Sequence, residues 1–215
     1  MKYWYFILLY CAMYQQATAQ NTLPQYVKSG KIYSPPPRVS NSSPYFKNMV
    51  FTQGSIVYDR VKYENQSLIY DVASDKLVVE DVNYINVVKN LVDYFAVNGD
   101  TVIYKADNAG GIPEGYYERI YHSDSTSGVA RHSKYLKEVM RGTAMERAYQ
   151  ETIRYYVLWP GVENYIDLRN EKDLLNLNKG LKKEARALLR SRSLKFKTQP
   201  KETIQAVLQF YETRI

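Results

Sequence analysis

Residues 91–105 read LVDYFAVNGDTVIYK, and this stretch decides the fold. Two runs rich in β-branched and aromatic residues, Leu91 to Val97 and Thr101 to Lys105, flank the pair Asn98-Gly99. Both central residues tolerate positive φ, so the pair suits a two-residue turn whose twist matches that of the strands it joins. The chain is therefore expected to build antiparallel hairpins.

Outward from this hairpin the same punctuation recurs. Upstream, Ser55 to Tyr63 alternates as a strand, Glu64-Asn65 reads as a turn, and Leu68 to Val72 reads as the next strand. Ser74-Asp75 then turns the chain before Leu77 to Val79. Downstream, Tyr116 to His122 pairs with Val129 to Ser133 across the turn-rich Ser123 to Gly128. Ile153 to Trp159 pairs with Tyr165 to Leu168 through Pro160-Gly161. Tyr135 to Gln150 has a helical composition and reads as a helix inserted between strands. The expected fold is mainly β (α+β): an antiparallel meander of eight to ten short strands forming a curled sheet or barrel. The chain's 22 Tyr against 6 Phe and 2 Trp agree with this, because tyrosine suits a half-buried strand surface, ring packed and hydroxyl wet.

The two ends differ from the middle. Lys2, an uncharged stretch from Tyr3 to Tyr14 and the small residues Ala17 and Ala19 read as a cleavable signal peptide over residues 1–19, with the mature chain starting at Gln20. Cys11 is the one cysteine and leaves with that peptide, so neither a disulfide framework nor thiolate chemistry is expected of the mature protein. No later segment offers the 18 or so uncharged apolar residues of a membrane span. Residues 20–48, with Pro35-Pro36-Pro37 and Ser40 to Pro44, form an extended lead-in to a β-rich domain over 49–168. A helical segment over 169–215 is expected to pack on the same domain. Within it, Leu181, Ala185, Leu188 and Leu189 share one helical face, while Lys182, Lys183, Arg186 and Arg190 share the other. A final helix opens at Pro200 and carries the apolar stripe Ile204, Val207, Leu208 and Tyr211.

Charge is concentrated in that segment. Residues 20–168 hold 16 basic and 17 acidic side chains, whereas residues 169–197 hold 10 and 3, a net of +7. An exported protein meets little nucleic acid, so the counterpart of Lys182, Lys183, Arg186 and Arg190 would be an anionic lipid, a glycan or an acidic protein. The plainer alternative is a solvated face that keeps the protein soluble. Elsewhere the sequence assigns no catalytic residue, cofactor or metal. His122 and His132 would face each other across a hairpin near Asp124, without metal-motif spacing, and read as partly exposed hairpin residues. Asp71 and Asp75 read as turn residues. Gly110-Gly111-Ile112-Pro113 lacks the Lys-Ser/Thr pair of a phosphate loop, and no G-x-S-x-G nucleophile elbow is present.

GSIVYDRVKYENQSLIYDVASDKLVV (54–79), IRYYVLWPGVENYIDL (153–168) and LKKEARALLRSRSLKF (181–196), followed by a closing amphipathic helix, resemble a group of exported proteins of unknown function from Bacteroidota. The resemblance covers residues 45–213 and implies an envelope or periplasmic location in a Gram-negative cell; it carries over no catalytic residue. The function expected from all this is a non-catalytic envelope scaffold that binds a protein, glycan or lipid. Two alternatives stay open: an envelope-polymer hydrolase with an unrecognised carboxylate site, and a carrier of a small apolar ligand.

Overall fold

Asn98 and Gly99 turn the chain with φ of 51° and 80°, and Val97 pairs directly with Asp100 across them. The computed structural model describes residues 31–81, 83–142 and 144–214, so the expected signal peptide and residues 20–30 of the lead-in lie outside the described residues. Eleven strands follow in order: β1 (Lys31–Ile32), β2 (Thr52–Tyr58), β3 (Val61–Asp71), β4 (Lys76–Glu80), β5 (Tyr84–Asn86), β6 (Val92–Val97), β7 (Asp100–Lys105), β8 (Gly115–His122), β9 (Ser127–Arg141), β10 (Ala144–Leu158) and β11 (Ile166–Leu168). Three helices close the chain: α1 (Glu171–Leu175), α2 (Lys182–Ser191) and α3 (Pro200–Glu212). The strands form one antiparallel sheet in the order β1-β5-β4-β3-β2-β6-β7-β8-β9-β10-β11, a meander that does not close into a barrel.

Two strand assignments differ from the sequence reading. Glu64-Asn65 is not a turn: β3 runs through it, and Asn65 takes φ of 55° opposite the register shift between Gly54 and Ile56. A residue tolerant of positive φ serves a bulge as well as a turn, and here the turn is Asp59-Arg60, with φ of 51° and 64°. Tyr135 to Gln150 is not a helix but the outer half of the β9–β10 hairpin, paired without interruption to Ala144 opposite Arg141. Its Lys, Glu, Ala and Met suit a helix, but strand pairing continuous with both buried halves of the hairpin overrides that propensity.

Curvature follows from the packing. Phe46, in the segment that precedes β2, has its ring centroid 5.9 Å from that of Tyr70 on β3 and 4.9 Å from that of His132 on β9. β3 and β9 are five strands apart, which in a flat sheet at ~4.8 Å per strand would be roughly 24 Å. The sheet is therefore strongly curled, and its register shifts in β2 and β8 supply the bends that allow it. One inward-facing row of cross-strand partners runs Tyr63, Ile56, Phe95, Val102, Glu118, Ala130, Tyr155, Leu168. On the β2–β7 side this face packs with Phe46 and Met49 into a core rich in aromatic rings, Tyr58, Tyr70, Phe95 and Tyr116 among them. On the β8–β11 side Ile120, Ala130, Val157 and Leu168 pack under the helices. There α3 buries Ile204, Val207, Leu208 and Tyr211, as its stripe requires, and the Tyr211 hydroxyl donates to the Leu175 carbonyl to tie it to α1.

Candidate functional site

Glu118 is the one charged residue in that inward-facing row, and it is 4% exposed. Burying a lone carboxylate is costly, so its partners explain its presence. His132, on the neighbouring strand, donates from Nε2 to Glu118 Oε2 at 3.0 Å and from Nδ1 to Glu151 Oε1 at 3.0 Å. Two ammonium groups reach the other oxygen: Lys47 Nζ at 3.1 Å and Lys201 Nζ at 2.6 Å. Both lysines also donate to Asp100, at 2.6 and 2.9 Å, so Asp100 and Glu118 are bridged twice. Lys47 comes from the segment before β2 and Lys201 from the first turn of α3, so the two ends of the described chain meet on this carboxylate.

The protonation states follow from this geometry. Burial disfavours the charged form of Glu118, but hydrogen bonds from His132 and Lys201 outweigh it and hold the carboxyl well below the usual range. Burial likewise opposes a charge on His132, yet the carboxylates of Glu118 and Glu151 raise its pKa above the ordinary value. Glu151 is lowered first by the His132 hydrogen bond. His132 is thus an imidazolium held between two carboxylates, with the Phe46 ring packed edge-on against it.

A third lysine, on β9, completes the arrangement. Lys134 Nζ donates to the carbonyls of Ser43 and Tyr45 at 3.1 and 2.6 Å and to Asn48 Oδ1 at 3.1 Å, satisfying all three of its protons. Burial lowers its pKa. Residues 33–51 are thereby strapped across the mouth of the curl. At the strap's other end the Tyr33 hydroxyl donates to Asp71 Oδ2 at 2.8 Å. Asp71 is fully buried and also accepts from the Ala73 and Ser74 amides, so the expected turn residue anchors the strap as well.

The histidines do not face each other, nor are both exposed as the sequence suggested: His122 pairs with Ser127, whereas His132 is buried beside Ile153. Among the described residues no group of three His, Cys, Asp or Glu side chains is placed to hold a metal ion. His132 spends its two nitrogens on carboxylates on opposite sides of its ring, so the three side chains share no common point. Two carboxylates flanking one imidazole also differ from a glycosidase pair, which needs room between them for the scissile bond.

The basic helix face is partly as expected. Ala185 and Leu189 of α2 are buried, Leu181 and Leu188 half-buried, and Lys183, Arg186 and Arg190 exposed. Lys182 departs from the expected open face: it is half-buried and donates to Asn176 Oδ1 at 2.7 Å, because the chain leaving α1 passes beneath it. Beyond α2, Lys195 and Lys197 join Arg169 around a recess of about 630 Å³ over Tyr155 and Phe196. A separate recess of about 460 Å³ lies under the strap, lined largely by prolines and by Tyr33, Tyr45, Met49, Phe51 and Tyr84. No family model matches the chain, and no curated protein or solved structure matches it either.

Proposed function

We propose that the protein is an exported, non-catalytic scaffold of the cell envelope that binds an anionic partner through the basic surface of its C-terminal layer. One observation carries this reading: the inner face of the curled sheet is occupied by the chain's own strap and helices, while the cations of residues 169–197 other than Lys182 face outward. The buried charges support it too. Glu118, His132 and Glu151 are committed to one another and to Lys47 and Lys201, which is how a polar cluster holds segments together. No Ser, Thr or Cys donates to His132 among the described residues, so the imidazole has no nucleophile to activate.

A binding panel tests the reading. The purified protein should bind anionic vesicles or an acidic polysaccharide at about 0.01 M salt and release them near 1 M, where the screening length falls from about 30 Å to about 3 Å. Binding to nothing acidic at low salt would refute it. Export is tested separately: protein recovered from the envelope should begin at Gln20, and an intact Met1 would contradict it. The recess under the strap favours a second reading, a carrier of a small apolar ligand, because about 460 Å³ lies within the range of ligand pockets. Saturable uptake of a fatty acid, blocked by Met49→Trp, would support that reading over the first.

A further inference from the structure

The recess beside α3 continues into a second one of about 410 Å³, and the two share Ile153, Tyr155, Arg169 and Phe196. Together they form an open groove between the β10–β11 edge and the linker from α2 to α3. Its floor is aromatic: the rings of Tyr155 and Phe196 pack edge to face with centroids 5.9 Å apart. Its rim is mostly cationic and comes from separate elements, with Arg169 after β11, Lys195 and Lys197 in the linker, and Arg154 on β10 at the far end, against the two acidic residues Glu171 and Asp167. Arg169 has one partner, Asp167, at 3.3 Å and is otherwise open to solvent. Lys47 and Lys201, which hold the fold together, each meet two carboxylates, whereas Lys195, Lys197 and Arg154 meet none among the described residues.

We infer that this groove is a binding site for an acidic glycan, a saccharide chain bearing carboxylate or phosphate groups. The inference rests on the anion-binding reading above and names its site and ligand class. Aromatic side chains suit the apolar faces of sugar rings, and cations on the rim meet acidic substituents that point outward from those rings. A bilayer surface is flat and does not enter a recess between two elements. An extended peptide would run along a strand edge, and β10 offers one here only at Ile153 and Arg154, since β11 covers it from Tyr155 to Val157. The rest of the groove offers rings and charges rather than backbone, which is what a sugar chain uses.

The test is a calorimetric titration of the purified protein with a hexagalacturonate at about 0.01 M salt, with maltohexaose as the uncharged control. Three proteins are compared: the wild type, the triple variant Arg169→Ala, Lys195→Ala, Lys197→Ala, and the α2 variant Lys183→Glu, Arg186→Glu, Arg190→Glu. The wild type is expected to bind the acidic hexamer saturably and maltohexaose at least tenfold more weakly. The groove variant should lose about tenfold or more, as three exposed pairs together allow, and the α2 variant should lose less than the groove variant. Phe196→Ala should weaken binding with every charge in place, which a purely electrostatic surface would not show. All altered residues but Phe196 are exposed, so circular dichroism should report an unchanged fold in the two charge variants. If the α2 variant alone abolishes binding, or if the protein binds phosphatidylglycerol vesicles and not the hexamer, the groove is not the site although the anion-binding reading survives. Failure to bind either probe overturns both.

Discussion

Replacing Glu118 by Gln is the sharpest probe of how the fold is held shut. The substitution keeps the side chain's shape and removes its charge, leaving the buried His132 imidazolium with Glu151 as its sole anionic partner. Removing one partner of a buried ion pair costs about 3–5 kcal/mol. Two corrections apply. The amide oxygen still accepts a hydrogen bond, and Glu151 is 35% exposed, so water reaches that end of the cluster. Lys47 and Lys201 are 46% and 35% exposed, and losing their contacts adds only about 0–1 kcal/mol each. The expected loss is about 3 kcal/mol at neutral pH, or roughly 6–12 °C in Tm for a chain of this size. Urea denaturation followed by circular dichroism measures it, and limited proteolysis reads the strap, which should be cut faster at residues 33–51. Lys201→Met serves as comparison and should cost about 1 kcal/mol or less. A Glu118→Gln protein within about 0.5 kcal/mol of the wild type would refute the view that this carboxylate ties strap, sheet and helix together.

Other outcomes follow from the same structure. His132 has a folded-state pKa above the unfolded value of about 6.5, so its contribution is complete below that pH and lost as pH rises through the raised pKa. The wild type should therefore lose stability as pH rises above about 6.5 through the raised value, and His132→Gln should flatten that limb in a pH series of urea midpoints. Glu118 and Glu151 have lowered values and act in the opposite direction, their contribution fading as pH falls below about 4.3 through those depressed values. At Gly99, φ is 80° and no atom lies within 4 Å of an added Cβ, so Gly99→Val isolates backbone strain and should cost about 1 kcal/mol or more. Gly99→Asn should cost less, since asparagine tolerates that region, and equal losses in thermal melts would show that strain is not the cause. On α2, Leu189→Ala should cost about 2–5 kcal/mol because the side chain is buried in the helical core. The Lys183, Arg186, Arg190 reversal should leave Tm nearly unchanged.

How much of this was legible beforehand depends on which physics decides each element. Turns written in residue types, Asn98-Gly99, Ser74-Asp75 and Pro160-Gly161, were readable because positive φ selects a short list of residues. The apolar stripe of α3 was readable because a helix facing one core must show it. Asn65 misled because the same positive φ serves a bulge. The β9–β10 hairpin misled because long-range pairing, not local propensity, sets its outer half. The charged cluster left a faint trace: Glu118 alternates with Tyr116 and Ile120, and His132 and Lys134 with Ala130, so polar residues occupy positions whose period marks them as inward-facing. What no local pattern contains is that Lys47 and Lys201, 154 positions apart, converge on the same carboxylate. The groove was equally hidden, since Arg169, Lys195 and Lys197 become neighbours only when α2 and α3 fold back on β11.

Titrating the wild-type protein with a polyuronate across salt, and then sizing the recovered polymer, tests most directly whether a scaffold binds an anionic envelope polymer without altering it. Affinity should fall steadily as the screening length shortens from about 30 Å to about 3 Å, and the polymer should be recovered at its original length. Absence of binding at low salt, or a polymer shortened after incubation, would contradict the scaffold reading.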